Sequence, residues 1–545
     1  MRAACLVPTR IVTASLTPST ALTSCVTREP WRGVVRGVRM ASTVADTVPT
    51  TTTDGKSPGR KERVVILGSG WAGYAVARTL DPRKYERIMV SPRSYFVFTP
   101  LLAGTAVGTL EFRAVIESVR RLGLDRYYQG WADDVDFARK VVRVEANTSG
   151  DLAARTTPQL LPRRVVNEME KGPVFDLPYD KLVVAVGAYS QTFGIEGVKE
   201  HANFLRNVGD ARKIRMKILQ LFEKAALPIF TEEQRRKLLH FAIVGGGPTG
   251  IEFAAELHDL VRDDLSKTYP ELAGHVQITV YDVAPKVLPM FDQKLAQYAM
   301  DTFHRERIHV KTQHNLTRIR PDDGLAGCLK LRFKQYGDDE VGAGIVVWST
   351  GLMQNPLIQK LGSKVVEQLA ASGEAISGAA RQLQQDEKTG GLVTDAHLRV
   401  MTVPQGPAAA AGAPDGRAQK EEGQAAQAAS ALPDVYGVGD CIVVDGERYP
   451  ATAQVASQQA TYLARRLNKG DLAATPFRFR NWGVMTYLGS WRAIHQSSAD
   501  ELTGRAAWFL WRTAYLTKSM TIRNKVMVPV YWFMSWLFGR DISRF

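Results

Sequence analysis

Apolar residues arrive along this chain in short unbroken runs, each closed by a glycine turn and followed by a helical repeat. "RVVILGSGWAGYAVARTL" (63–80) and "LLHFAIVGGGPTGIEFAAELHDL" (238–260) both read this way. A continuous apolar run of this length, bounded by glycine, predicts a strand buried on both faces of a parallel sheet. The runs "YDKLVVAVGA" (179–188), "GIVVWSTG" (344–351) and "LPDVYGVGDC" (432–441) read as further strands ending in small residues. The first two of these fit places where the chain crosses between domains. Strand–turn–helix units of this kind predict an α/β fold with two Rossmann-like dinucleotide-binding domains.

Each turn carries the GxGxxG spacing. In the first, Gly68 permits the tight turn, Gly70 lets the backbone approach a pyrophosphate, and Gly73 lets the helix pack on its strand. Ser69 stands between the first two glycines. The following strand ends in Ser91-Pro92-Arg93 where an acid for a ribose hydroxyl is usual. Ser91 offers a weaker hydrogen bond, and Arg93 can reach a phosphate. In the second turn Gly245, Gly247 and Gly250 repeat the spacing. Its next strand ends in Asp282, a residue type that accepts from both ribose hydroxyls of NAD and repels the extra phosphate of NADP; the alternative is a solvated loop acid. Two such turns fit FAD in the first unit and NAD(P)H in a second unit inserted into it. Gly439 and Asp440, at the end of a late strand, would complete the flavin site.

Composition adds an address. The first 40 residues hold Arg2, Arg10, Arg28, Arg32, Arg36 and Arg39 against the single acid Glu29, with many Ser and Thr. This is the pattern of a mitochondrial transit peptide. The net charge of +15 leaves about +10 on the rest of the chain, which favours an anionic partner such as a lipid surface or nucleic acid. The four cysteines, Cys5, Cys25, Cys328 and Cys441, form no CxxC pair. That argues against a metal site, and against a dithiol reductase or a sulfide:quinone oxidoreductase, which need paired cysteines.

The stretches "SPRSYFVFTPLLAGTAVGTLEFR", "VAVGAYSQTFGIEGV", "GGGPTGIEFAAEL", "YGVGDC" and "ATAQVASQQATYLA" together resemble the type II NADH:quinone oxidoreductases, the rotenone-insensitive alternative NADH dehydrogenases. The resemblance implies an FAD-dependent enzyme that passes a hydride from NADH to non-covalent FAD and two electrons on to ubiquinone, without pumping protons. It places Gly68, Ser69, Gly70, Gly73, Ser91, Arg93, Gly187, Gly439, Asp440 and Gln454 at FAD, and Gly245, Gly247, Gly250, Glu252, Asp282 and Gly351 at NADH. Gln454 and Gln458 of "AQVASQ" fall at the quinone, and four-residue spacing puts both on one helix face. Glu252 comes near the nicotinamide, in proton delivery; its alternative is a helix-start acid stabilised by the dipole. The implied catalytic set is Glu252, Gln454 and Gln458.

The expected organisation is a transit peptide (1–40), a linker (41–61), the first part of the FAD domain (62–237), the NADH domain (238–356) and the second part of the FAD domain (357–480). Residues 365–390 and 402–430 depart from the family pattern and read as inserted loops with little fixed structure. Residues 481–545 hold six of the ten tryptophans. Read as a helix, Trp508, Trp511, Tyr515 and Ile522 share a face, and "VMVPVYWFMSWLF" (526–538) is too short to span a bilayer. This predicts a C-terminal membrane-surface helical region that also serves a homodimer. The enzyme is thus expected to be peripheral to the mitochondrial inner membrane, with the matrix side favoured and no nucleic acid bound. A different class of reading is a basic mitochondrial NADH-binding flavoprotein of the apoptosis-inducing-factor kind.

Overall fold

A computed structural model describes residues 60–148, 172–369, 375–404, 429–498, 500–519 and 521–543. The expected transit peptide, nearly all of the linker and the body of the 402–430 stretch lie outside the described residues.

Five parallel strands form the centre of the first sheet, in the order Ser430–Gly437, Lys181–Val184, Glu62–Leu67, Tyr85–Ser91 and Arg126–Asp136. Val64, Val65, Ile66 and Leu67 are fully buried, as a strand covered on both faces requires. The helix α1 (Trp71–Thr79) crosses from Glu62–Leu67 towards Tyr85–Ser91, and six consecutive residues from Ala72 to Ala77 are buried. The carboxyl ends of all five strands therefore meet at one edge, where α/β sheets bind their ligands.

Beyond Ser430–Gly437 the sheet continues through three antiparallel strands, Arg399–Pro404, Ala375–Leu383 and Val365–Leu369. Segment 365–390 is thus largely a hairpin rather than the expected loop. Its composition gives no strand signal because the ordering partner, the sheet edge, lies elsewhere in the chain.

The second sheet has five parallel strands in the order Asn203–Phe204, Ile345–Trp348, His240–Val244, Gln277–Tyr281 and Ile308–Lys311. The helices α2 (Val208–Ala225) and α3 (Pro248–Leu260) belong to this part. The two stretches read as crossings run into short strands, Ala188–Ser190 and Leu352–Gln354, that pair antiparallel with each other. The chain then returns to the first sheet and reaches α4 (Ala453–Lys469), which packs on α1.

The C-terminal segment opens with an antiparallel meander, Val484–Gly489, Arg492–Gln496 and Glu501–Thr503. Two helices follow, α5 (Gly504–Lys518) and α6 (Ile522–Phe538). The single face expected for Trp508, Trp511, Tyr515 and Ile522 is corrected here. Helix α5 ends at Lys518, and the Thr521 hydroxyl starts a new helix by accepting from Asn524 N at 3.3 Å. Ile522 therefore opens α6, and Pro529 lies inside α6 without ending it.

Candidate active site

A cleft of about 570 Å³ opens at the carboxyl edge of the first sheet, lined by Gly68, Ser69, Gly70, Trp71 and Ala72. Gly68 has φ +107° and donates its N–H to Val90 O at 2.8 Å, a turn only glycine makes cheaply. A Cβ on Gly73 would collide with the Gly68 carbonyl, which is why α1 can start so close to its strand. A Cβ on Gly70 would meet nothing within 4 Å. The backbone there faces open space at a helix N-terminus, the geometry that receives a phosphate.

Ser91 is buried, and its hydroxyl pairs with the Ser69 hydroxyl at 2.8 Å. Its Oγ also accepts from Arg93 N at 3.3 Å, and Arg93 lines the cleft. Across from them stand Gly187, Arg206, Asp210, Gly439 and Asp440. Burial pushes the Asp440 carboxyl above its usual range, and the Arg206 guanidinium opposes that shift. Burial likewise lowers Arg206, with Asp440 as its main counterweight. Asp210 is raised by burial although Arg206 N and Asn207 N donate to it at 3.0 and 3.1 Å.

Gln454 and Gln458 lie on one face of α4, and both amides are engaged with the 480–483 backbone. Gln454 accepts from Trp482 N at 2.8 Å and donates to Gly483 O at 3.3 Å. Gln458 accepts from Arg480 N at 3.0 Å and donates to Arg480 O at 2.8 Å. Their neighbours on α4, Ala453 and Ala456, line the cleft.

The second glycine turn repeats the first. Gly245 has φ +115° and donates to Tyr281 O at 2.8 Å; a Cβ on Gly250 would collide with the Gly245 carbonyl, and Gly247 faces open space. Asp282 accepts from Gly246 N and, at 2.7 Å, from Ala284 N. Thr249, within the second turn, and Thr350 and Gly351 line the same cleft as Gly68 and Gly70, so the second turn reaches that space through Thr249. Glu252 faces elsewhere. Buried on the other side of α3, it accepts from Tyr487 N and Trp511 Nε1, both at 3.1 Å. Burial pushes its pKa up to about 8.

A family model described as pyridine nucleotide-disulphide oxidoreductase matches residues 62–371, and one described as the NDH2 C-terminal domain matches residues 482–541. A Dictyostelium discoideum protein named a probable NADH dehydrogenase is 34% identical over 492 residues, covering 89% of this chain and 91% of that protein. The chain belongs to the type II NADH dehydrogenase family. Within this family, a mitochondrial protein of Yarrowia lipolytica named an external alternative NADH-ubiquinone oxidoreductase is 31% identical over 545 residues, covering 89% and 81% of the two chains. The fold is that of the structure of NDH2 from Plasmodium falciparum in complex with NADH, with a TM-score of 0.70 and 23% identity over 89% of this chain and 100% of that one. These matches favour this family over the apoptosis-inducing-factor kind of flavoprotein. The match at 482–541 falls on the very segment that the latter reading leaves unexplained.

Several residues of this family member escape a reading of sequence. Gln459, next to the "AQVASQ" pair, is buried and accepts from Gly439 N at 2.8 Å, fixing the turn that presents Asp440. Trp71 lines the cleft and donates to the Thr99 hydroxyl at 3.0 Å. Arg206 and Asp210 reach the cleft from the start of α2. Their signal was legible: Asn207 and Asp210 form a reciprocal capping box, a sequence-level helix start. Tyr487 and Trp511 left no such signal, because they meet Glu252 from 235 and 259 residues away.

Proposed function

We propose that this chain is an NADH:ubiquinone oxidoreductase of the mitochondrial inner membrane that works with non-covalent FAD and moves no protons across the membrane. One observation carries the reading: Gly68, Ser69 and Gly70 of the first turn and Thr249 of the second line a single cleft of about 570 Å³. That volume is in the range of cofactor pockets. The open backbone at Gly70 and the acid Asp440 opposite it suit a pyrophosphate and a polyhydroxyl chain, so the residues fit FAD. When bound, FAD takes the hydride of NADH and returns two electrons to a quinone.

The chain's own residues supply binding and orientation. Gly68, Ser69, Gly70 and Gly73 shape the phosphate turn, Ser91 braces it through Ser69, and Arg93 adds positive charge. Gly187, Gly439 and Asp440 close the opposite wall, and Gln454 follows Ala453 of that wall on α4. Gly245, Gly247, Gly250 and Gly351 receive NADH, with Asp282 setting the preference against a 2′-phosphate. Gln454 and Gln458 fix α4 to the 480–483 backbone at the quinone end. Glu252 holds a proton near neutral pH on the side of α3 turned away from the cleft.

The acceptor is reached from lipid. Ile522, Val526, Val530, Phe533 and Leu537 form one exposed stripe along α6, with Ile522 81% exposed. Asn524, Val528 and Trp532 turn inward. Exposed Arg505, Lys518, Arg523 and Lys525 flank this stripe, and each cation adds about 1 kcal/mol of attraction to anionic lipid. Among the described residues no helix is long and apolar enough to cross a membrane. In this reading the protein is a peripheral homodimer on the matrix face of the bilayer, with residues 481–545 serving both attachments.

The test is spectroscopic. Purified protein is expected to be yellow, to bleach with NADH and to recover colour when a short-tail quinone is added. A colourless protein, or one that bleaches and never recovers with quinone, contradicts the reading. Proton release measured in sealed vesicles would contradict the non-pumping part alone.

A further inference from the structure

Away from the nucleotide cleft, α3 carries three carboxyls at i, i+4 and i+7: Glu252, Glu256 and Asp259. All three are buried, at 7%, 7% and 3% exposure. Two cavities meet along this face. The inner one, about 10 Å³, is lined by Pro100, Leu101, Glu252, Glu256 and Trp511. That is close to the room one water needs. The outer one, about 700 Å³, opens to the surface and is lined by Glu256, Asp259, Arg512, Arg540 and the apolar end of α6. Glu256 lines both.

The inner cavity lies close to the nucleotide cleft. Thr99 lines the cleft and Pro100 the inner cavity; Thr249 lines the cleft, and Glu252 follows it by one helical turn. Glu256 is held in place by the Thr109 hydroxyl, which donates to it at 2.7 Å and accepts from Arg540 Nε at 3.0 Å. The other charged groups facing Glu256 are Asp259 and Glu252 on its own helix, Arg512 on α5 and Arg540 beyond α6. Burial and Asp259 push Glu256 above the usual carboxylate range, while Arg540, Thr109 and Arg512 pull it down. Glu256 in turn adds to the burial that raises Glu252. Such a pair holds a proton and passes it readily, because two neighbouring buried carboxyls resist being ionised together.

Resting on the proposed reaction, the balance needs such a route. NADH gives up two electrons and one proton as a hydride, and a quinone takes two electrons and two protons, so each turnover draws one proton from water. We propose that Glu256 carries this proton from the outer cavity through the inner one to Glu252. Glu252, one helical turn from Thr249 of the cleft wall, gives up its proton towards the quinone, where it ends on a quinone oxygen. Glu256 then reprotonates Glu252, and water in the outer cavity reprotonates Glu256. Glu256 touches no substrate; it acts through Glu252.

The test separates the two half-reactions in the full chain with FAD bound. Glu256→Gln is expected to bleach with NADH at close to the native rate. Its reoxidation by a short-tail quinone is expected to slow by about tenfold or more, with a larger solvent deuterium isotope effect. Formate is expected to restore reoxidation in Glu256→Ala by entering the outer cavity. Independently of turnover, one infrared protonated-carboxyl band that persists above the usual carboxylate range should be missing from Glu256→Gln. Should Glu256→Gln lose its flavin, Thr109→Val keeps the carboxyl but removes its donor, and the alkaline limb of reoxidation is expected to move to higher pH. Native reoxidation and isotope effect in Glu256→Gln, or an unmoved limb in Thr109→Val, overturn the relay. If instead the unmodified protein fails to bleach with NADH or to recover with quinone, the proposed function fails, whatever Glu256 does.

Discussion

At Gly68 and at Gly245 the backbone does the same thing. Each glycine has a positive φ, each donates to a carbonyl near the end of the next strand, Val90 or Tyr281, and each glycine's own carbonyl blocks a side chain five residues on, at Gly73 and Gly250. The residue after that acceptor carbonyl differs: Ser91 in one unit, Asp282 in the other. So does the residue after the first glycine, Ser69 in one and Gly246 in the other. In the first unit two hydroxyls fill the gap between turn and strand by bonding each other. In the second the carboxylate fills it by accepting from the Gly246 N–H. A Cβ on Gly246 would stand 3.0 Å from that carboxylate and 2.6 Å from Val287 Cγ1. The acid and the small residue facing it are therefore one device, and a missing acid is no defect where a serine pair takes its place.

The most drastic way to break this comparison is the same lesion in both turns. Gly73→Val is expected to give a colourless protein with no oxidation of NADH. Gly250→Val is expected to keep its flavin absorbance and lose bleaching by NADH almost completely. If both variants were colourless, the assignment of one cofactor to each turn would fail.

A second contrast lies one turn into each helix, where Glu252 occupies the position that Ala75 holds in α1. The folded protein raises the Glu252 pKa from 4.5 to about 8. Between those values the folded state keeps a proton that the unfolded chain has lost, so stability falls as pH rises across that window and levels off above it. The slope is about 1.4 kcal/mol per pH unit at most. Glu252→Gln should flatten this decline, as read by denaturant midpoints from acid to mildly alkaline pH. An unchanged slope would mean the carboxyl is solvated.

Asp282→Gln removes the charge that distinguishes the second turn. The ratio of kcat/KM for NADPH over NADH is expected to rise by roughly tenfold, about 1.4 kcal/mol of relieved repulsion; a constant ratio would leave Asp282 as a brace for Gly246 alone. The smallest effect is expected at α4. Gln454→Ala loses two neutral hydrogen bonds to the 482–483 backbone, each worth about 1 kcal/mol. It should raise the quinone KM about fivefold and spare reduction of the flavin by NADH. Equal damage to both half-reactions would show that the amide serves the fold of both sites.

Much of this was legible before any coordinates. The glycine turns, their strands and the late Gly439-Asp440 turn follow from steric rules that act within a few residues, and so does the capping box at Asn207. The role of Ser91 was not legible, because a hydroxyl gains its meaning from the Ser69 hydroxyl that faces it across the turn. Nor was the hairpin at 365–383, which needs a sheet edge to pair with, or the break at Ser519, since α5 and α6 pack on different neighbours.

The sequence by itself determined where the chain turns and which turns suit a dinucleotide, because backbone sterics and apolar periodicity are local. Only the tertiary structure decided that both turns open onto one cleft, and that Glu252 and Glu256 face away from it into cavities closed by Tyr487 and Trp511. The hydrogen bonds that Glu252 accepts come from segments more than 200 residues away, and separation of that kind leaves no periodic trace along the chain.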